Sequence, residues 1–180
     1  MSLVDELIND SRAGLFLNQS PGYREARFDD ASLREATGQI QARPDATAFH
    51  LLMALRREAP ERYGEVPEET RAKVLTAALA ELPELNDFGY LDPGGSWDGE
   101  ASHALLELGT AAQEALAPLL EDHRPAPLAG SETATMSEQY GYRRSDFAYR
   151  YLCLLSGENP SFSRDRSERD RAIDQLRARL

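Results

Sequence analysis

Apolar residues recur at three- and four-residue spacing through nearly every segment of this chain outside its loops. No segment alternates apolar and polar residues as a half-buried strand does. That pattern confines the chain to an all-α fold, and the helix punctuation agrees with it. Leu3, Val4, Leu7 and Ile8 form one stripe, with Ser2 placed as N-cap and Gly14 just past the end. Residues 15–28 show neither period and contain Ser20-Pro21-Gly22, which reads as a loop. Residues 30–41 form a short helix diluted by Gly38, and Pro44 breaks the chain. Asp45 then caps a helix with Ala48, Leu51, Leu52 and Leu55 on one face, followed by a connector at 60–64.

Pro67 suits a first helical position, with Glu68 and Glu69 at the positive dipole end and Val74, Leu75, Ala78, Leu79 and Leu82 on the buried stripe. Pro83 ends that helix and residues 84–99 are non-periodic. Helices follow at 100–108 and 111–121, parted by Gly109-Thr110, then at 145–155 and 166–180. At 180 residues the chain suits one domain of 1–180, and about 70% of the unfolded surface is buried at this size. Residues 1–43 read as a helical arm and loop, and residues 44–180 as the body.

Within that body, residues 104–122 run Ala-Leu-Leu-Glu-Leu-Gly-Thr-Ala-Ala-Gln-Glu-Ala-Leu-Ala-Pro-Leu-Leu-Glu-Asp. The stretch resembles a HEAT-like helical repeat: a helix ending Leu-x-Leu-Gly, a tight turn, a small Ala-Ala start and paired leucines along the seam. Leu52, Leu105 and Leu152 as centres of first helices give steps of 53 and 47 residues. Leu75, Leu116 and Ile173 as centres of second helices give steps of 41 and 57. These scatter around the roughly 40–47 of HEAT-type units. The resemblance implies a short α-α superhelix of about three helix pairs preceded by the arm. It further implies a binding scaffold, since such repeats serve mostly in that way, although DNA glycosylases and bilin lyases occur among them.

Charge and composition narrow the partners. There are 31 acidic against 20 basic residues, a formal net charge of −11. Nucleic acids bind chiefly through cations that neutralise phosphates, and anionic membrane surfaces attract cations too. The expected partner is therefore another protein or peptide, not nucleic acid and not membrane. No apolar run is long enough to span a bilayer, and Met1 to Asp10 lack a secretory start, which makes the cytoplasm the expected compartment. Cys153 is the one cysteine, so an intramolecular disulfide and a Cys-based zinc site are excluded. Flanked by Leu152 and Leu154, it reads as a buried, inert thiol. No metal or other cofactor is expected.

Two clusters are candidates for a site. The 86–99 loop sets Phe88, Tyr90 and Trp97 beside Asp87, Asp92 and Asp98, a combination suited to a cationic or peptide ligand and equally to an insertion pinned on the helices. Tyr140, Tyr142, Arg143 and Arg144 open a second cluster of residue types that dominate contact hot spots. In the competing reading, Arg144, Asp146, Arg169 and Asp170 bridge neighbouring helices. Phe88, Tyr90, Trp97, Tyr140, Tyr142, Arg143 and Arg144 are thus the expected contact residues of a non-enzymatic interaction module. The alternative is a small-molecule enzyme or binding protein with a pocket between the 86–99 loop and the 140–150 segment, where Asp87, Asp98, His103 and Arg144 supply the polar groups.

Glu100, His103 and Glu107 share one helical face, but Ala101, Ala104, Leu105 and Leu108 define the core side, so the row reads as solvated. The Gly130–Thr135 stretch reads as a cap or turn, without the elbow pattern of a serine nucleophile. The sign-alternating run 164–171 reads as a solvated, ion-pair-laced helix start.

Overall fold

A computed structural model of the chain describes residues 1–82, 88, 99–126, 135, 138–160 and 163–180. The protein is mostly helical, and among the described residues there is no strand, only one isolated bridge between Pro125 and Arg143. The expected all-α class holds. The chain divides into two compact units, Met1–Ala78 and Leu79–Leu180.

In the first unit, α1 (Leu3–Ala13) starts where Ser2 caps Asp5 N–H and Asp5 returns the bond, and it stops at Gly14, whose φ of 67° is left-handed. The expected loop at 15–28 contains a short helix, α2 (Pro21–Glu25). Ser20-Pro21-Gly22 is a helix start: Ser20 caps Tyr23 N–H, Pro21 takes the first turn, and Gly22 lets α1 approach. A Cβ at Gly22 would meet Glu6 Cγ at 3.0 Å. Helix α3 (Asp30–Ala42) is capped by Asp29, and Asp45 caps a 3-10 turn (Ala46–Ala48) that runs into α4 (Phe49–Glu58). The expected connector at 60–64 is also helical, α5 (Pro60–Glu65), because Pro60 opens it and Tyr63 buries beneath.

Helix α4 is the core of this unit, with Phe49 through Leu55 all buried and α1, α2, α3 and α5 packed against it. Residues 1–43, read from sequence as a helical arm and loop, contribute to this unit's core; Val4, Leu7, Ala36 and Ile40 are all within 1% of complete burial. Helix α6 (Glu68–Glu81) follows, with Pro67 O accepting from Thr70 and Arg71 N–H at its start. Val74, Leu75, Ala78, Leu79 and Leu82 are buried as their spacing predicts.

In the second unit, α7 (Glu100–Leu106) and α8 (Gly109–Leu116) meet at Gly109, whose φ is +50°. The glycine begins α8 instead of lying in a linker, and α8 runs on as a 3-10 turn at Ala117–Glu121. Helix α9 (Arg144–Leu155) packs against that turn, α8, α7 and the last helix, α10 (Arg166–Arg177). Phe147, Ala148, Tyr151 and Leu152 of α9 are buried, and Ile173 and Leu176 of α10 complete this core.

Candidate functional site

The most polar interior in the second unit is built at the start of α9. Arg143 precedes the helix and Asp146 occupies its first turn, where a carboxylate accepts the free N–H groups of a helix end. Asp146 Oδ2 accepts Arg143 N–H at 2.8 Å, and Oδ1 takes the Arg143 guanidinium at 2.9 Å. Four residues before Ile173 on α10, Arg169 lies on the same buried stripe and brings its Nε to 3.1 Å from Asp146 Oδ2. Asp146 and Arg169 are 1% and 2% exposed, and charges so deeply buried are costly unless paired and hydrogen-bonded.

The Arg169 Nη donors are satisfied by backbone. Nη1 donates to Ser163 and Arg164 carbonyls at 2.9 Å each, and Nη2 to Tyr140 O at 2.7 Å and Gly141 O at 3.1 Å. The guanidinium also lies 4.9 Å from the Tyr142 ring centre. Arg143 reaches outward from the same network to Asp170 at 2.6 Å. Burial alone would lower the Arg143 pKa; the hydrogen bonds and negative charge of Asp146 and Asp170 outweigh it, and the net direction is upward.

A short backbone pairing sets the next side chain. Ala126 N–H donates to Tyr142 O, Arg144 N–H to Arg124 O and Ser145 N–H to Asp122 O, which pins 122–126 beside the start of α9. His123 Nδ1 comes within 3.4 Å of Arg143 Nη1. An arginine can only donate, so this contact assigns Nδ1 the acceptor role and leaves the proton on Nε2. Asp122 is held by Arg124 and by Arg144, the latter at 3.4 Å. The Arg124 hydrogen bond leads the causes that pull its carboxyl down to about 2, against desolvation.

These groups line an open cleft of about 400 Å³ formed by His123 and Arg143 with the α10 row Arg166, Asp170, Asp174 and Arg177. An adjoining hollow of about 300 Å³ shares His123, Arg143 and Arg166 and adds Glu138 and Pro125. Arg177 pairs with Glu121 and Asp174. Arg166 is exposed and makes no ion pair among the described residues. The cleft therefore presents both signs of charge over a floor that is fixed by buried pairing.

The expected contact residues distribute unevenly over this arrangement. Tyr142 is 1% exposed and Phe88 2%, so both are core side chains, Tyr142 reaching only the wall of the adjoining hollow. Tyr151 O–H donates to Phe88 O at 2.7 Å, and their rings meet edge to face. Arg143 is buried except where it borders the cleft, Tyr140 is half-buried, and Arg144 is half-buried against Asp122. His103, with Glu100 and Glu107, is exposed on the solvated side of α7 and does not line the cleft. Tyr90, Trp97, Asp87 and Asp98 lie outside the described residues, as does the expected pocket against the 86–99 loop. Cys153 is buried, and burial pushes its thiol pKa up.

His123, Arg166, Asp174 and Arg177 are cleft residues that sequence reasoning did not select. Their signal was present: 166, 170, 174 and 177 follow a helical repeat beside the buried row 169, 173 and 176. Among the described residues, no three His, Cys, Asp or Glu side chains group as a metal site, and no helix is long and apolar enough to cross a membrane. Comparison with family models, curated proteins and solved structures finds no match to this chain.

Proposed function

We propose that this chain is a non-enzymatic interaction module that docks a polar segment of another protein in the cleft between His123 and the Arg166–Arg177 face of α10. The observation that carries the reading is the pairing in the cleft's floor: Arg143 lies between Asp146 and Asp170 at 2.9 and 2.6 Å. A charged group fixed before binding loses little freedom when a partner arrives. The mixed lining favours specificity, because a segment must match both signs in register. Large exposed apolar side chains among the described residues are limited to Met1 and Leu180, which supports polar recognition over a greasy face. The α7–α8 pair, bent at Gly109, is in this reading a HEAT-like helix pair serving as scaffold.

The test compares proteins cross-linked to the wild type in its host with those cross-linked to Arg166→Glu. Arg166 is exposed, so reversing its charge leaves the core intact. Lys73→Glu, the same charge change on an exposed residue of the first unit, is the control. Partners held by wild type and Lys73→Glu but lost by Arg166→Glu are the expected result. Equal recovery by all three contradicts the proposal.

A further inference from the structure

The cleft and its adjoining hollow share three side chains, His123, Arg143 and Arg166, and all three are hydrogen-bond donors. A guanidinium carries five N–H groups. On Arg143, Nε faces Asp146 Oδ2 at 3.3 Å, and Nη2 serves Asp146 Oδ1 at 2.9 Å and Asp170 at 2.6 Å. Nη1 turns one hydrogen to His123 Nδ1 at 3.4 Å, and its second hydrogen has no partner among the described residues. The His123 ring, accepting at Nδ1, keeps a proton on Nε2 that has no partner there either. Arg166, at the exposed start of α10, adds a whole guanidinium without an ion pair among the described residues. Free donors thus gather at one point of a chain in which 31 acidic residues outnumber 20 basic ones.

We propose that His123, Arg143 and Arg166 form a carboxylate subsite, which seats an acidic side chain of the docked segment; this deepens the interaction-module reading and rests on it. The charge balance selects a carboxylate. Within the floor, Arg143 and Arg169 are matched by Asp146 and Asp170. Arg166 supplies the positive charge left over, so a singly charged group fits. A dianion would face Asp170 in the cleft and Glu138 in the adjoining hollow. A basic side chain fits poorly at the same point, because donors would face donors. The two oxygens of a carboxylate offer enough lone pairs for the His123 Nε2 proton, the second Arg143 Nη1 hydrogen and the Arg166 fork. Pro125, Gly141 and Tyr142 line the adjoining hollow, which leaves room for the aliphatic stem of the acid. The overall charge of −11 holds free anions off, so binding here depends on these local donors and weakens as salt screens them.

The test titrates the full chain, at about pH 8 and constant ionic strength, with a capped tripeptide carrying a central glutamate, the same tripeptide carrying glutamine, and inorganic phosphate. The readout is the nitrogen resonances of the His123 ring and the Arg166 side chain. Saturable shifts with the glutamate tripeptide and none with the glutamine tripeptide are the expected result. Binding should weaken about fivefold or more in Arg166→Gln, read at His123, and in His123→Ala, read at Arg166. Both residues are exposed, so neither change disturbs the core, and Lys73→Gln on the first unit should bind as wild type does. The wild-type ring alone gives a reading that needs no variant: a neutral imidazole with its proton on Nε2 supports the subsite, and a proton on Nδ1 overturns it. Equal responses to the two tripeptides, or phosphate bound more tightly than the glutamate tripeptide, overturn it as well. Partner recovery separates this subsite from the wider reading. Partners lost with Arg166→Glu, beside no response to the glutamate tripeptide, remove the subsite and leave the docking role. Equal partner recovery, beside a saturable glutamate response, leaves the subsite and removes the docking role.

Discussion

The two units bury polar groups by opposite means. In Met1–Ala78 the buried titratable side chain is His50, tolerated because it is kept uncharged and tied to a neutral hydroxyl. In Leu79–Leu180 the buried polar groups are tolerated because opposite charges alternate: Arg143, Asp146 and Arg169, with the half-exposed Asp170 at the outer end. Neutrality fails when a proton is offered, whereas pairing fails when a partner is removed. The same distinction shows why the cleft falls in the second unit. A network of paired charges that reaches the surface at Arg143 and Asp170 can present charge to a ligand, and a closed neutral pair cannot.

The comparison can be broken most forcefully at Asp146. Asp146→Asn leaves Arg143 and Arg169 facing an uncharged group and is expected to destabilise the second unit by about 3–5 kcal/mol, measured by urea unfolding. A loss below about 1 kcal/mol would mean the pairing contributes little. Replacing the inner pair with apolar residues, Asp146→Leu with Arg169→Met, restores part of that loss if the damage comes from stranded charge. The corresponding cut in the first unit is Ser11→Ala, which deprives His50 Nδ1 and its backbone N–H of one shared oxygen. Its expected cost is about 1–3 kcal/mol.

Gly109→Ala sharpens the account of α8. A Cβ there meets open space, so the expected loss of roughly 1–2 kcal/mol is backbone strain alone. An unchanged melting temperature would mean that the bend relaxes. The smallest effect is expected at Ser2→Ala, about 1 kcal/mol from an exposed helix start in the first unit.

Helix existence was legible along most of the chain because the apolar stripes are strong, and the edges at Ser2, Gly14, Asp45 and Pro67 carry recognisable cap chemistry. Two short helices were not legible. Pro21–Glu25 and Pro60–Glu65 are too brief for a stripe, and their proline starts also serve as turn signals. The site was legible in part. Arg143 was selected by residue type, and the bridging reading anticipated Asp146 against Arg169, although Arg144 pairs with Asp122 instead. Arg169 hid inside a run of alternating charge that suggested a solvated face, while its register four before Ile173 pointed inward. The aromatic residues misled because ring size suits a contact surface and a core equally, and Phe88 and Tyr142 are core. His123 could not be selected at all, since its position depends on the pairing of 122–126 with the start of α9.

The contrast between neutral and paired burial makes the units separable by acid. Burial lowers the His50 pKa from 6.5 to about 4, so the unfolded chain binds the proton first and the first unit loses about 3 kcal/mol as the pH falls through that window. In the second unit, Asp122 is held down at about 2, and a lowered carboxyl contributes stability above 3.8 that is lost only as the pH falls through about 2. Hydrogen exchange of α4 and α9 in the same full-length sample at about pH 4.5 is the direct measurement. Protection lost first in α4, with α9 still closed, is the predicted result. Protection lost from α9 first, or from both helices together with one pH midpoint, would contradict the account.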